Sequence, residues 1–169
     1  MKQQLLPIRA LHLIDIENLS QTMILTEELV TEVKHEYFLA TRPNPEDIFV
    51  VGVSHFNLAA ASFGWGSGTA QYLVRSGDDG ADLALLELLS TPSTLKRFNK
   101  VVIASGDGIF FQSSQMLAKR GIETSYVARQ DCVARSIFLS GCECLLLPQL
   151  TDYDLNLMPS FAKEYALVS

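Results

Sequence analysis

A chain of 169 residues, 48% of them apolar, has the size and composition of one domain able to bury a substantial core. Its formal net charge of −6 excludes a protein that coats nucleic acid by bulk phosphate neutralisation, though not an enzyme that meets phosphate through a metal and a few local cations. No segment approaches the roughly 20 apolar residues that span a bilayer, the start lacks a signal-peptide pattern, and the three cysteines, Cys132, Cys142 and Cys144, suit a reducing compartment. A cytoplasmic protein with no membrane partner is the expectation.

In chain order, Ile8 to Ile14 reads as a first buried strand and Ser20 to Tyr37 as a helix with Ser20 as its cap. The Thr41-Arg42-Pro43-Asn44-Pro45 stretch breaks that helix. Ile48 to Val53, continuous and rich in β-branched residues, reads as a strand covered on both faces. Phe56 to Phe63 follows as a short helix. The Gly64-Trp65-Gly66-Ser67-Gly68 stretch precedes a strand rather than opening a helix, so it reads as a connection and not a phosphate-cradling loop. Ala70 to Arg75 is a third strand and Asp82 to Leu89 a helix that Pro92 stops. Val101 to Ala104 is the fourth strand, Ile109 to Arg120 a helix, and Gly121 the turn into a strand over Ile122 to Ala128. Asp131 to Leu139 is expected to be helical, and Cys144 to Leu147 gives a last strand that Pro148 ends.

This rhythm specifies a three-layer α/β/α domain over residues 1–148 with a mainly parallel sheet and right-handed crossovers. Residues 149–169 form a tail packing on or extending that domain, with a short helix near Phe161 to Leu167.

Three strands end on acid. Leu11-His12-Leu13-Ile14 runs into Asp15-Ile16-Glu17-Asn18, Tyr72-Leu73-Val74 is followed by Asp78-Asp79-Gly80-Ala81-Asp82, and Val101-Val102-Ile103-Ala104 runs into Ser105-Gly106-Asp107-Gly108. In an open parallel sheet, ligands bind beyond the carboxyl ends of the strands, so three such exits can converge on one crevice. Clustered carboxylates repel one another unless a cation sits among them, and hard oxygen ligands suit Mg2+ or Mn2+. Asp15 is the leading direct ligand, because an ionised group closing so apolar a strand needs a compensating charge or hydrogen bonds.

These residues also carry a family resemblance. Asp15-Ile16-Glu17-Asn18 resembles the aspartate-x-x-asparagine opening of NYN domains, a branch of the PIN-like nucleases. Gly80-Ala81-Asp82 is similar to that family's glycine-x-aspartate start of its second acidic helix. Ser105-Gly106-Asp107-Gly108-Ile109-Phe110 is similar to its serine-glycine-aspartate-x-aspartate-phenylalanine signature, and Gly121-Ile122-Glu123 to the glycine turn that follows. The resemblance covers most of residues 8 to 147. It implies a Rossmann-like, PIN-type fold and a metal-dependent endoribonuclease that hydrolyses RNA phosphodiesters. Carried across, Asp15, Asp82 and Asp107 match the metal-binding acids, Asn18 an asparagine that orients the first acid or contacts substrate, and Ser105 a small hydroxyl beside the third acid.

The departure is Ile109, where the family carries a second aspartate. Compensation is expected first from Asp79, three residues before Asp82, and otherwise from Asp78 or Asp131.

Ordinary readings stand beside the chemical ones. Asp82 and Asp107 suit helix starts on capping and dipole grounds alone, and Asn18 and Ser105 suit loop ties. Glu17 is expected to point away from the site, and His12 to be a packed core residue. His35 and His55 show no constellation, and Cys142-Glu143-Cys144 lacks the spacing and partners of a zinc site. Arg129 and Arg135, which bracket Asp131, are the candidate phosphate contacts. Trp65 and Phe63 are candidate base-stacking residues, with core or interface roles the commoner alternative. RNA is the expected partner, and a homo-oligomer is compatible with the sequence. A degenerate domain that binds RNA or protein without cutting is the second reading. A different metal-dependent phosphotransfer enzyme or a receiver-like switch is the third, the receiver weakened because the third strand ends Arg75-Ser76-Gly77 without a phosphorylatable aspartate and the fifth offers no lysine.

Overall fold

Six aliphatic runs become six strands: β1 (Ala10–Asp15), β2 (Ile48–Val53), β3 (Gln71–Val74), β4 (Lys100–Ala104), β5 (Glu123–Arg129) and β6 (Glu143–Leu147). They hydrogen-bond in the order β3-β2-β1-β4-β5-β6, and every neighbouring pair is parallel. The computed structural model describes residues 9–157, so Ile8 and the helix expected at Phe161–Leu167 lie outside the described residues.

Because successive side chains of a strand face opposite ways, each central strand feeds two cores. In β1, Ala10 and Ile14 join one apolar cluster while Leu11 and Leu13 join the other. The first cluster is covered by α1 (Ile16–Ser20), α2 (Glu27–Thr41) and α3 (Leu58–Trp65). The second is covered by α4 (Gly80–Ser90), α5 (Pro92–Leu95), α6 (Phe111–Lys119) and α7 (Arg135–Leu139). The result is the expected three-layer α/β/α architecture, with all six β1 residues buried at its centre. A last helix, α8 (Asp152–Asn156), lies in the tail, and its flanking Leu150 and Leu157 return to the first face. There the Thr26 hydroxyl donates to the Leu157 carbonyl at 2.7 Å.

Several boundaries differ from the sequence reading for identifiable reasons. The helix expected from Ser20 is two helices, because Gln21 adopts a left-handed conformation (φ 51°) that ends α1. Thr26 then caps α2 by accepting from Leu29 N at 3.2 Å, with Glu27 and Glu28 complementing the helix dipole in its first turn. Pro92, expected only as a stop, opens α5 at a position where its missing N–H costs nothing. The helix expected from Asp131 begins at Arg135. The preceding loop is drawn across to the β4 exit, where Ala134 N donates to the Gly106 carbonyl at 2.8 Å.

One glycine sets the height of α4. A Cβ on Gly52 would meet Leu85 Cγ at 2.8 Å and the Ala81 carbonyl at 3.0 Å, so β2 admits α4 only without a side chain there. Close seating of α4 brings its first turn, and Asp82 with it, to the carboxyl ends of the central strands.

Candidate functional site

Strand order reverses between β1 and β4, so the chain leaves these neighbours in opposite directions and opens a crevice at their carboxyl ends. Asp15 ends β1 there and is 5% exposed. As the cap of α1, its Oδ1 accepts from Asn18 N at 3.2 Å, while its Oδ2 accepts from the Ser105 hydroxyl at 3.0 Å. Ser105 is fully buried and in turn accepts from Asp107 N at 3.2 Å. The Asn18 side chain crosses the crevice, its Oδ1 accepting from Gly106 N at 3.0 Å. Asn18 and Ser105 are therefore positioning residues that lock the β1 and β4 exits together. Each Asp15 oxygen accepts one bond from these partners, which leaves lone-pair capacity on both.

Gly106 is the tightest point of this arrangement. A Cβ there would overlap the Cys132 carbonyl, so the loop after β5 closes directly on the site.

Asp82, in the first turn of α4, is 8% exposed and its Oδ1 is buried without a hydrogen-bond partner. Burial pushes the Asp82 carboxyl up to about 8, and the Asp15 charge, a hydrogen bond to Asp15 and the charges of Asp107 and Asp79 push the same way. Burial also raises Asp15, against the opposing hydrogen bonds from Asp82, Asn18 and Ser105. Two buried carboxyls in contact cannot both ionise cheaply, so without a cation they share a proton.

The remaining acids stand outside this pair. Asp107 is half-buried, and its Oδ1 accepts from Ile109 N at 2.9 Å, capping the 3-10 turn Gly108–Phe110. Asp79 is exposed at a left-handed φ of 53°. Asp78 and Asp131 are exposed as well, and Asp131 accepts from the Gln149 amide. Among the described residues, no three His, Cys, Asp or Glu side chains form a group that could hold a metal ion by themselves. The four-acid ligand set expected from the sequence thus reduces to the pair Asp15 and Asp82, with Asp107 and Asp79 acting on it through their charge. That pair still fits Mg2+ or Mn2+, because Mg2+ keeps several waters and needs only one or two protein carboxylates. The unpartnered Asp82 oxygen and the shared proton are what such a cation would satisfy and displace.

Of the two expected phosphate contacts, Arg129 is a correction. It is 0% exposed, and its guanidinium donates to the carbonyls of Leu19 at 2.8 Å and Pro148 at 2.7 Å while ion-pairing with Glu36 at 2.6 Å. It is an internal strut joining β5 to α1, α2 and the residue that follows β6. Arg135 is exposed at the start of α7. Trp65 is a core residue at 0% exposure, whereas Phe63 is 68% exposed on α3.

Glu17, expected to point away from the site, is committed to the loop after β2, though its charge is felt by Asp15. Its Oε1 accepts from Ser54 N at 3.1 Å, the Ser54 hydroxyl at 2.6 Å and the Asn57 amide at 2.6 Å. The loop after β2 is thereby fastened to α1 on both sides of His55 and Phe56. No periodicity signals contacts between residues 37 and 40 positions apart.

His12 is a core residue, also as expected. It joins Tyr37 Oη at 2.7 Å and Asp47 Oδ2 at 3.2 Å, at the opposite end of β1 from Asp15.

The sequence matches no protein-family model and no curated protein.

Proposed function

We propose that this chain is a divalent-metal-dependent ribonuclease of the NYN type, cleaving within RNA. The observation that carries the proposal is the buried pair Asp15–Asp82, with one carboxylate oxygen left without a partner at the switch point of a parallel sheet. A proton-sharing carboxyl pair is costly to maintain for structure alone, and it suits a hydrated Mg2+ or Mn2+. Such an ion would supply an activated water and neutralise charge developing on the phosphate.

The chain's own residues then divide the work. Asp15 and Asp82 bind the ion. Ser105 and Asn18 hold Asp15 in place and keep the β1 and β4 exits together. Asp107, half-buried at the rim, orients water or takes up a proton. Arg135, exposed beside the crevice-side loop, is the remaining candidate for phosphate. A cytoplasmic location and the option of self-association belong to the same proposal.

One observation favours the degenerate reading. Ile109, standing where the resembled family has a second acid, packs into the apolar cluster beneath α6. A domain that binds RNA or protein without cleavage would tolerate that change.

Incubating single-stranded RNA with the protein and Mg2+ or Mn2+, beside Asp15→Asn and Asp107→Asn, separates the two. Metal-dependent shortening of RNA by the parent alone supports the nuclease. Unchanged RNA with all three proteins rejects it.

A further inference from the structure

Phe56 is 82% exposed, an unusual placement for a phenylalanine whose loop is so firmly held. Ser54 and Asn57, on either side of it, are both bonded to Glu17, two residues beyond Asp15. Its ring lies 3.9 Å from the His55 ring, centroid to centroid, at a 35° tilt. His55 is fixed in turn: its backbone N donates to Ser76 Oγ at 3.1 Å, and its Nδ1 meets the same oxygen. Ser76 follows Arg75, whose carbonyl packs so closely on Gly80 that no Cβ would fit there. Two residues on is Asp82.

The contacts therefore run as a chain along the carboxyl edge from Asp15 through Glu17, the β2 loop and the β3 loop to α4. Phe56 stands on that rim with both neighbouring loops braced beneath it. The bracing gives the fold no burial of the Phe56 ring in return. Arg75 brings a cation to the same rim. Its guanidinium side chain is 49% exposed, and its ion pair is a loose 3.8 Å contact with the largely exposed Glu87.

An exposed aromatic face with a loosely paired cation on the neighbouring β3 loop is the chemistry that holds an unpaired base and its phosphate. A peptide side chain would also stack, but it would not bring the phosphate that can compete with Glu87 for Arg75. We propose that Phe56, backed by His55, is a base-stacking subsite for a nucleotide flanking the acidic pair, with Arg75 contacting that nucleotide's phosphate. The proposal deepens the ribonuclease reading and rests on it for the identity of the strand as RNA.

The test is fluorescence anisotropy with a labelled eight-nucleotide oligouridylate and an abasic ribose-phosphate oligomer of equal length, using Asp15→Asn protein so that the probe survives. The parent background should bind oligouridylate more tightly than the abasic probe. Phe56→Ala should weaken oligouridylate by about 5- to 100-fold and leave the abasic probe unaffected, while Phe56→Trp retains affinity. Arg75→Ala should weaken both probes and reduce the salt slope by about 1. Because Phe56 is exposed, its variants should melt within about 2 °C of the parent.

Equal binding of the two probes by the parent, an unaltered Phe56→Ala, or no binding of either probe would each overturn the subsite. Cleavage by the wild-type protein is scored separately. RNA that is bound through Phe56 yet never cut removes the nuclease and leaves the subsite. RNA that is cut without regard to Phe56 does the reverse.

Discussion

The two ends of β1 carry buried polar clusters of opposite character. At the amino end, His12 Nδ1 meets Tyr37 Oη, its Nε2 meets Asp47 Oδ2, and Asp47 also accepts from Ala10 N at 2.9 Å and Asn44 N at 2.8 Å. A cavity of about 290 Å³ adjoins this cluster, lined among others by His12, Asp47, Arg42 and Lys100. At the carboxyl end, Asp15 and Asp82 crowd together and one Asp82 oxygen has no partner. Saturation marks a cluster that stabilises the fold. Crowded acid with an unpartnered oxygen is the arrangement on which the proposed cation site rests.

The contrast is broken most severely by neutralising the carboxyl end. Asp15→Asn and Asp82→Asn should each lower metal-dependent RNA cleavage by at least about 100-fold, measured as initial rates on a labelled strand. Stability should respond in the opposite sense. Asp82→Asn removes a carboxyl that is costly to ionise, so the metal-free variant should melt several degrees above the parent near pH 8.5.

Next in size is damage at the amino end. Asp47→Ala leaves His12 and two backbone N–H groups without their acceptor, which should cost about 3 kcal/mol and lower Tm by about 10 °C. Metal affinity of the folded variant should not change. A loss of Mg2+ binding at temperatures where Asp47→Ala is folded would show that the two clusters are not independent.

Acidity separates the ends more gently. Asp82's folded pKa, about 8, lies above its unfolded value, so its contribution is full below the unfolded pKa and is lost as pH rises through 8. Burial lowers His12 below 6.5, against the raising effect of Asp47, so its contribution is present above 6.5 and is lost as pH falls through the lowered value. Metal-free protein should therefore show a falling alkaline limb between pH 6.5 and 8, where the Asp82 loss runs unopposed, and a flatter acidic limb below 6.5, where the two contributions oppose each other. Saturating Mg2+ should flatten the alkaline limb and leave the acidic limb alone, as thermal scans across pH 5 to 9 will show.

The smallest effect is expected from Arg135, for which the buried Arg129 is the contrasting case. Arg135→Ala should weaken RNA binding a few-fold without altering Tm, whereas Arg129→Ala should destabilise the protein through its lost bonds to Leu19, Pro148 and Glu36. Anisotropy and melting together distinguish a phosphate contact from a strut.

Much of this is legible in the sequence itself. The β-branched runs at Ile48–Val53 and Val101–Ala104 announce strands buried on both faces, and acids placed just beyond strand ends announce the crevice. Asp15, Asp82 and the positioning roles open to Ser105 and Asn18 follow from those exits. What escaped was long-range partnership. An arginine is ordinarily solvated, so nothing local reveals that Arg129 bonds a carbonyl 110 positions away. Likewise His55 and Phe56 gain meaning only through Glu17 and Ser76, and α1 separates from α2 at a left-handed Gln21 that no glycine advertises.

The most direct measurement is calorimetric titration of Mg2+ or Mn2+ into the wild-type protein, Asp15→Asn and Asp82→Asn at pH 7 in two buffers of different ionisation enthalpy. If the buried carboxyl pair is a cation site, the wild type binds the ion and releases close to one proton, and both variants lose binding and proton release together. Absence of binding by the wild type, or binding that survives both substitutions, contradicts it.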